Sequence, residues 1–277
     1  MSSERTTHVV HISPRSSWAA LDLGEIWAGR ELMYFLTWKE LKVRYKQTVI
    51  GVLWVVLQPV VTTVIFAIVF SQVSKFDSPG LPYPLLVLSG LLLWLYLNSA
   101  VIFASNSLVG ASDLVTKIYF PRLMMPLAPV FAGLIDLGVG LVVLFLALLI
   151  FGVGFSANMV AIPLFLLLTM MLAAAIGIMT AALNVRFRDI KFALPFALQI
   201  WMFASPIFYP VDILSARART ILSFNPMTGI VSGFRSAIFG TPFDWPLIGT
   251  GAVMTVLVLI LSLLVFKRME DSFADYI

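Results

Sequence analysis

The chain has 277 residues, 60% hydrophobic and only 12% charged, with a net charge of +4, no cysteine and a mean hydropathy of +1.00. Soluble domains carry roughly 25% charged residues, so this composition excludes water as the main solvent. The missing thiols exclude a disulfide framework and a thiolate metal site.

In chain order, residues 1–24 are polar, hold Arg5, His8, His11, Pro14 and Arg15, and lack the apolar core of a signal peptide. They predict an uncleaved cytoplasmic tail. Residues 25–48 predict an amphipathic helix. Tyr34, Trp38, Leu41 and Tyr45 recur at i, i+4, i+7 and i+11, and Lys39, Lys42 and Lys46 form a row beside them. Aromatics at headgroup depth next to lysines describe a helix lying along the inner membrane surface.

Residues 49–277 then predict a single membrane domain. Its apolar runs are Val52 to Val73, Leu85 to Phe103, Leu127 to Phe151, Met159 to Leu183, Phe192 to Tyr209 and Leu247 to Phe266. Most reach the roughly 20 residues that a helix needs to cross a hydrocarbon core of about 30 Å. The fifth is interrupted by Pro195 and Pro206. Unbroken apolar runs, without the alternation of barrel strands, make the expected fold an all-α polytopic membrane protein of six transmembrane helices.

With the N-terminus inside, all of the 18 Lys and Arg except Lys75, Arg217, Arg219 and Arg235 fall on the inner side. That asymmetry places both termini in the cytoplasm and makes the positive charge a topology signal, not a nucleic-acid one. Two connections face the cytoplasm: Ser105 to Pro126, with Asp113, Lys117 and Arg122, and Asn184 to Lys191, with Arg186, Arg188 and Asp189. The outer segment 206–246 is long yet apolar, and its residues need burial. Short helices that dip into the outer leaflet are expected there.

The chain holds no G-x-x-x-x-G-K-[ST] and no H-E-x-x-H, and its two His lie in the N-terminal tail. A self-contained ATPase or metal hydrolase is therefore not expected. Asp136, between Gly133 and Gly138, is the sole acidic residue deep within a span. An intramembrane carboxylate costs about 2.5–3.5 kcal/mol on insertion scales. Two readings stand: a functional group, or a hydrogen-bonded lock between helices. Ala173, Gly177 and Ala181 form a row of small residues that permits close helix contact. Phe192, Phe196, Gln199 and Phe203 repeat at i, i+4, i+7 and i+11, a face suited either to lining a conduit or to packing.

The segment Trp38 to Pro59, WKELKVRYKQTVIGVLWVVLQP, resembles the transmembrane subunit of bacterial polysaccharide ABC exporters of the type-2 family, which export O-antigen, capsule or teichoic acid. The similarity continues at Tyr119-Phe-Pro-Arg122, Asn184 to Asp189, Ser205-Pro-Ile-Phe-Tyr-Pro210 and Asn225-Pro226, over about nine tenths of the chain. It implies six membrane helices after an interface helix, with short re-entrant helices between the last two spans. It also implies a homodimer of this chain with two separate ATP-binding subunits that carry ATP and Mg. This chain would then hold no cofactor, no metal and no catalytic residue.

The cargo implied is a lipid-diphosphate-linked glycan. Lys39, Lys42, Lys46 and Arg122 are the candidates to attract its diphosphate. Trp54, Phe66, Phe70, Phe196, Gln199 and Phe203 are the candidate channel lining. Asp113, Lys117, Arg186, Arg188 and Asp189 are the candidate contacts to the ATPase. Partners are thus the glycan, membrane lipids, a second copy and the ATPase, with no nucleic acid. Three rival readings share the composition: an ABC exporter of a small drug or lipid, a membrane glycosyltransferase acting on lipid-linked sugars, and a proton-coupled secondary transporter, which one lone carboxylate supports poorly. The second needs paired acidic or His residues at the membrane face, whereas Asp113, Asp136 and Asp189 are scattered.

Overall fold

A computed structural model describes residues 23–46, 51, 53–73, 82–112, 120–270 and 273, and among them every regular element is helical. The helices are α1 (Leu23–Ala28), α2 (Arg30–Tyr45), α3 (Leu53–Val73), α4 (Tyr83–Ser107) and α5 (Met124–Ile150). They continue as α6 (Ile162–Arg186), α7 (Ile190–Phe203), α8 (Ala216–Ser223), α9 (Pro226–Phe239) and α10 (Trp245–Glu270). Within the described residues, α4, α5, α6 with its preceding turn, and α10 are long and apolar enough to cross a bilayer. Leu53–Val69 of α3 and the whole of α7 are shorter apolar helices. At about 1.5 Å per residue, α7 alone reaches about 21 Å, short of a full crossing. Its apolar run continues into the non-helical turn Ser205–Tyr209, where Pro206 removes a backbone donor.

The expected interface helix is divided: Gly29 separates α1 from α2, and α2 ends at Tyr45 with Lys46 already extended. The segment expected on the outer side forms the two short helices α8 and α9. Ser215 caps α8 by accepting from Ala218 N, and Asn225 caps α9 by accepting from Met227 N, with Pro226 at the first helical position. Gly240 ends α9 in the left-handed region, at φ 71°.

Buried almost throughout, α4 is the central post, packed on α5 and α6 and touched by α3, α7 and α9. Close approach explains the small residues. A Cβ on Gly177 would lie 2.7 Å from Ala104 Cβ, so the row Ala173, Gly177, Ala181 is where α6 meets α4. One on Gly229 would lie 2.5 Å from the Leu247 carbonyl, so α9 and α10 cross almost backbone to backbone. Large apolar side chains of α5 and α10, such as Val142, Leu146, Val253 and Leu257, point outward. In a bilayer that surface is solvated by lipid tails.

Candidate functional site

At the α2 end the basic segment divides into two faces. Lys39, Lys42 and Lys46 are exposed, with the Lys42 ammonium 5.7 Å from the Trp38 ring. Arg44 turns the other way. Its side chain is 7% exposed, and Nη1 donates to Asp136 Oδ2 of α5 at 2.7 Å. Nη2 donates to the Pro129 carbonyl at 3.3 Å, and the guanidinium lies 4.3 Å from the Phe103 ring of α4. Tyr45 donates its hydroxyl to Asp136 Oδ1. Burial, and then this hydrogen bond, raise the Tyr45 phenol well above its ordinary value, so it stays a donor throughout the physiological range. Asp136 is thus hydrogen-bonded across helices, as the lock reading expects, with both partners at the end of α2 and not on a neighbouring apolar run. Behind the carboxylate a cavity of about 100 Å³ is lined by Gln58 and Pro59 of α3, Tyr96 and Ser99 of α4, and Gly133.

Arg122 stands apart from the lysines in its bonding: it donates to the Glu270 carbonyl at the end of α10, which ties the start of α5 to that helix end.

Of the aromatic residues, Phe196 and Phe203 of α7 are 66% and 54% exposed, and Gln199 and Trp54 are exposed as well. Leu198 is the only fully buried residue of α7. Phe66 of α3 stacks on Phe208 at 3.9 Å with an interplanar angle of 8°, and Phe203 lies 6.0 Å from the same ring. Phe66 and Phe203 are thus brought together through Phe208, which pattern reading did not single out. Trp54 and Phe196 are not joined to that cluster by any ring contact among the described residues. The side chain of Phe70 lies outside the described residues.

The connection between α6 and α7 presents Arg186, Arg188 and Asp189, all exposed and making no ion pair among the described residues. Arg186 rests 5.4 Å from the Phe187 ring, and the Asp189 carbonyl accepts from Phe192 N and Ala193 N to open α7. Asp113 and Lys117 lie outside the described residues.

A second buried arginine occupies the opposite end. Arg235 of α9 is 8% exposed and donates to four carbonyls: Pro206 at 2.8 Å, Ile207 at 2.6 Å, Tyr209 at 3.1 Å and Leu86 of α4 at 3.0 Å. Gly90 makes room for it, since a Cβ there would lie 2.9 Å from Nη2. The Ser205-Pro-Ile-Phe-Tyr-Pro210 motif therefore has a physical meaning: its turn supplies three of the four carbonyls. Asn225 fastens the same turn from below, donating to Ser205 Oγ at 2.9 Å and accepting from Trp201 Nε1 at 3.0 Å. Sequence reading counted Arg235 only as an outer cation. Its one signal was a basic residue set among the apolar and small residues of 226–239.

No cluster of three His, Cys, Asp or Glu capable of holding a metal occurs among the described residues. Among the described residues the arrangement is one of helix contacts, exposed aromatic faces and exposed charges between α6 and α7.

Residues 31–239 match the family model described as ABC-2 type transporter. Among curated proteins, the O-antigen export system permease protein RfbA of Myxococcus xanthus is 28% identical over 258 residues, covering 91% of this chain and 98% of that protein. The polysialic acid transport protein KpsM of Escherichia coli is 23% identical over 240 residues, covering 84% and 92%. The inner membrane transport permease YadH of Escherichia coli (strain K12) is 26% identical over 231 residues, covering 79% and 89%. The chain belongs to the ABC-2 type transporter family and is a multi-pass membrane transport protein, not an enzyme.

Proposed function

We propose that this chain is the permease of an ATP-driven exporter that carries a lipid-diphosphate-linked polysaccharide, of O-antigen, capsule or teichoic-acid type, across the cytoplasmic membrane. Two copies form the conduit above two ATP-binding subunits, which hold the ATP and Mg. In this reading residues 1–24 are a cytoplasmic tail, 25–48 the interface region, and 49–277 one membrane domain of six crossings, α3 to α7 and α10, with both termini inside. The segment 206–246, with α8 and α9, is re-entrant from the outer side.

The observation that carries it is the uncovered side of α7. Of its aromatic row, Phe196 and Phe203 stay more than half exposed while Leu198 alone is fully buried. A row of rings with a Gln between them suits sugar C–H faces and hydroxyls better than lipid tails alone. The end-to-end similarity to an O-antigen permease supports the same cargo class. Lys39 and Lys42, exposed on α2, and Lys46, exposed just beyond it, attract the diphosphate at the inner leaflet. Arg122 is held to α10 and serves the same field from a fixed position. The similarity to YadH, whose name specifies no polysaccharide, supports a second reading as an exporter of a small molecule or lipid.

Reconstitution of the chain with its ATPase subunit separates the readings. ATP-dependent translocation of a lipid-diphosphate oligosaccharide, with no movement of short fluorescent lipids, is expected; the reverse preference overturns the polysaccharide reading. In the same system Arg186→Glu with Arg188→Glu is expected to lower co-purification of the ATPase at least fivefold at unchanged permease level. Undiminished assembly removes the α6–α7 connection from the coupling role.

A further inference from the structure

Beneath α8 lies an open groove of about 390 Å³, within the ~300–1,000 Å³ of small-molecule sites. Its walls are Leu172 and Ile176 of α6, Trp201 of α7, Ile221 and Leu222 of α8, and Val258 of α10. The polar atoms at its edge are already engaged, since the Trp201 indole N–H and the Asn225 amide bond each other and Ser205. A polar ligand finds no free partner there. A hydrocarbon chain finds an apolar wall.

Depth narrows the class of hydrocarbon. Arg219 of α8 is ion-paired with Asp244, which immediately precedes α10. Val258 lies about 20 Å further along α10, at ~1.5 Å per residue. A leaflet contributes about half of the ~30 Å hydrocarbon core. The groove therefore runs from α8 toward the bilayer centre, where the chain of a lipid whose headgroup sits level with Arg219 comes to an end. Charge completes the pattern. Arg217 is exposed, makes no ion pair among the described residues, and precedes Ile221 by one helical turn, so a cation stands over the groove wall. Arg219, by contrast, is committed to Asp244.

We propose that this shelf binds an anionic diacyl phospholipid of the outer leaflet, its phosphate at Arg217 and one acyl chain in the groove between α6, α7, α8 and α10. The lipid fills the space under α8 and braces the re-entrant pair against the membrane core. The leaflet assignment rests on the topology proposed above. Lipid retention does not depend on orientation, so the two fail separately.

The full-length chain is purified from nanodiscs holding equal phosphatidylglycerol and phosphatidylcholine, and retained lipids are counted by native mass spectrometry. Preferential retention of phosphatidylglycerol is expected. Arg217→Gln should lower that preference about fivefold, the share of one basic residue near a membrane surface, while Arg217→Lys keeps it. Ile221→Asp, at a surface position that does not threaten folding, should lower retention of both lipids. Equal retention by the unaltered protein, or retention indifferent to both Arg217→Gln and Ile221→Asp, overturns the site. So does a disulfide between two copies carrying Ile221→Cys in this cysteine-free chain, because a second protomer would then cover the groove.

Discussion

Arg44 at the α2 end and Arg235 at the α9 end are both buried guanidiniums, yet only the first meets a carboxylate. Arg44 shares Asp136 with Tyr45, so α2 is held to α5 by an ion pair between side chains. The two terminal nitrogens of Arg235 donate to the carbonyls of Pro206, Ile207, Tyr209 and Leu86, while its Nε is buried without a partner among the described residues. The first contact is a pair that either partner can break. The second is a cage whose shape matters more than its charge, because four oxygens must be reached by one planar fork. A helix that moves relative to the membrane domain suits the first arrangement. A non-helical turn packed among apolar helices, where unsatisfied backbone is costly, suits the second.

Breaking the cage has the largest expected effect. Arg235→Leu leaves four carbonyls without this donor, at a loss on the order of 4 kcal/mol, read as thermal stability and folded yield in detergent. Arg235→Lys should recover little of it, since one ammonium cannot fork to all four. A lysine variant as stable as the parent would mean that charge, not geometry, is what the site requires.

Breaking the pair comes next. Asp136→Asn keeps the shape but strands the Arg44 charge, at about 2–3 kcal/mol, below the usual cost because the carboxylate is 20% exposed. The exchange Arg44→Asp with Asp136→Arg should restore part of the loss in the same thermal assay. No exchange can do so for Arg235. A double exchange no better than Asp136→Asn alone would show that Tyr45 and Phe103, not the opposite charge, dominate the environment of Arg44.

How much of this was legible in the sequence depends on what each contact is made of. The long apolar helices were readable because apolar runs name themselves: α4 and α10 contain the runs expected of them, and α5 and α6 match theirs to within a few residues at one end. The end of the fifth run was not, because Pro206 stops the helix while the apolar residues continue. Asp136 announced itself as the lone acid in a span, but its partner lies 92 residues away on another helix. Arg44 was hidden among the lysines although it is two residues from Lys42, and so more than half a turn off their row. Arg235 was invisible for a deeper reason: its acceptors are main-chain oxygens, which every residue possesses and no letter marks. Lys39, Lys42, Arg186 and Arg188 are exposed, whereas the Phe66–Phe208–Phe203 cluster required a turn that brings separated rings together.

The smallest effect on stability, and the sharpest contrast with both arginines, is expected on the uncovered side of α7. Phe196 contacts no other ring among the described residues and is 66% exposed, so Phe196→Ala should change thermal stability by no more than about 0.5 kcal/mol. Phe203→Ala should cost slightly more, because it gives up the tilted contact with Phe208. If the row lines a conduit, export per folded permease falls in both variants while the protein level holds, the opposite of Arg235→Leu, where level falls first. Should Phe196→Ala instead lower the stability of the assembled dimer without slowing export per complex, the row is a packing face against the second copy, and the glycan passes elsewhere.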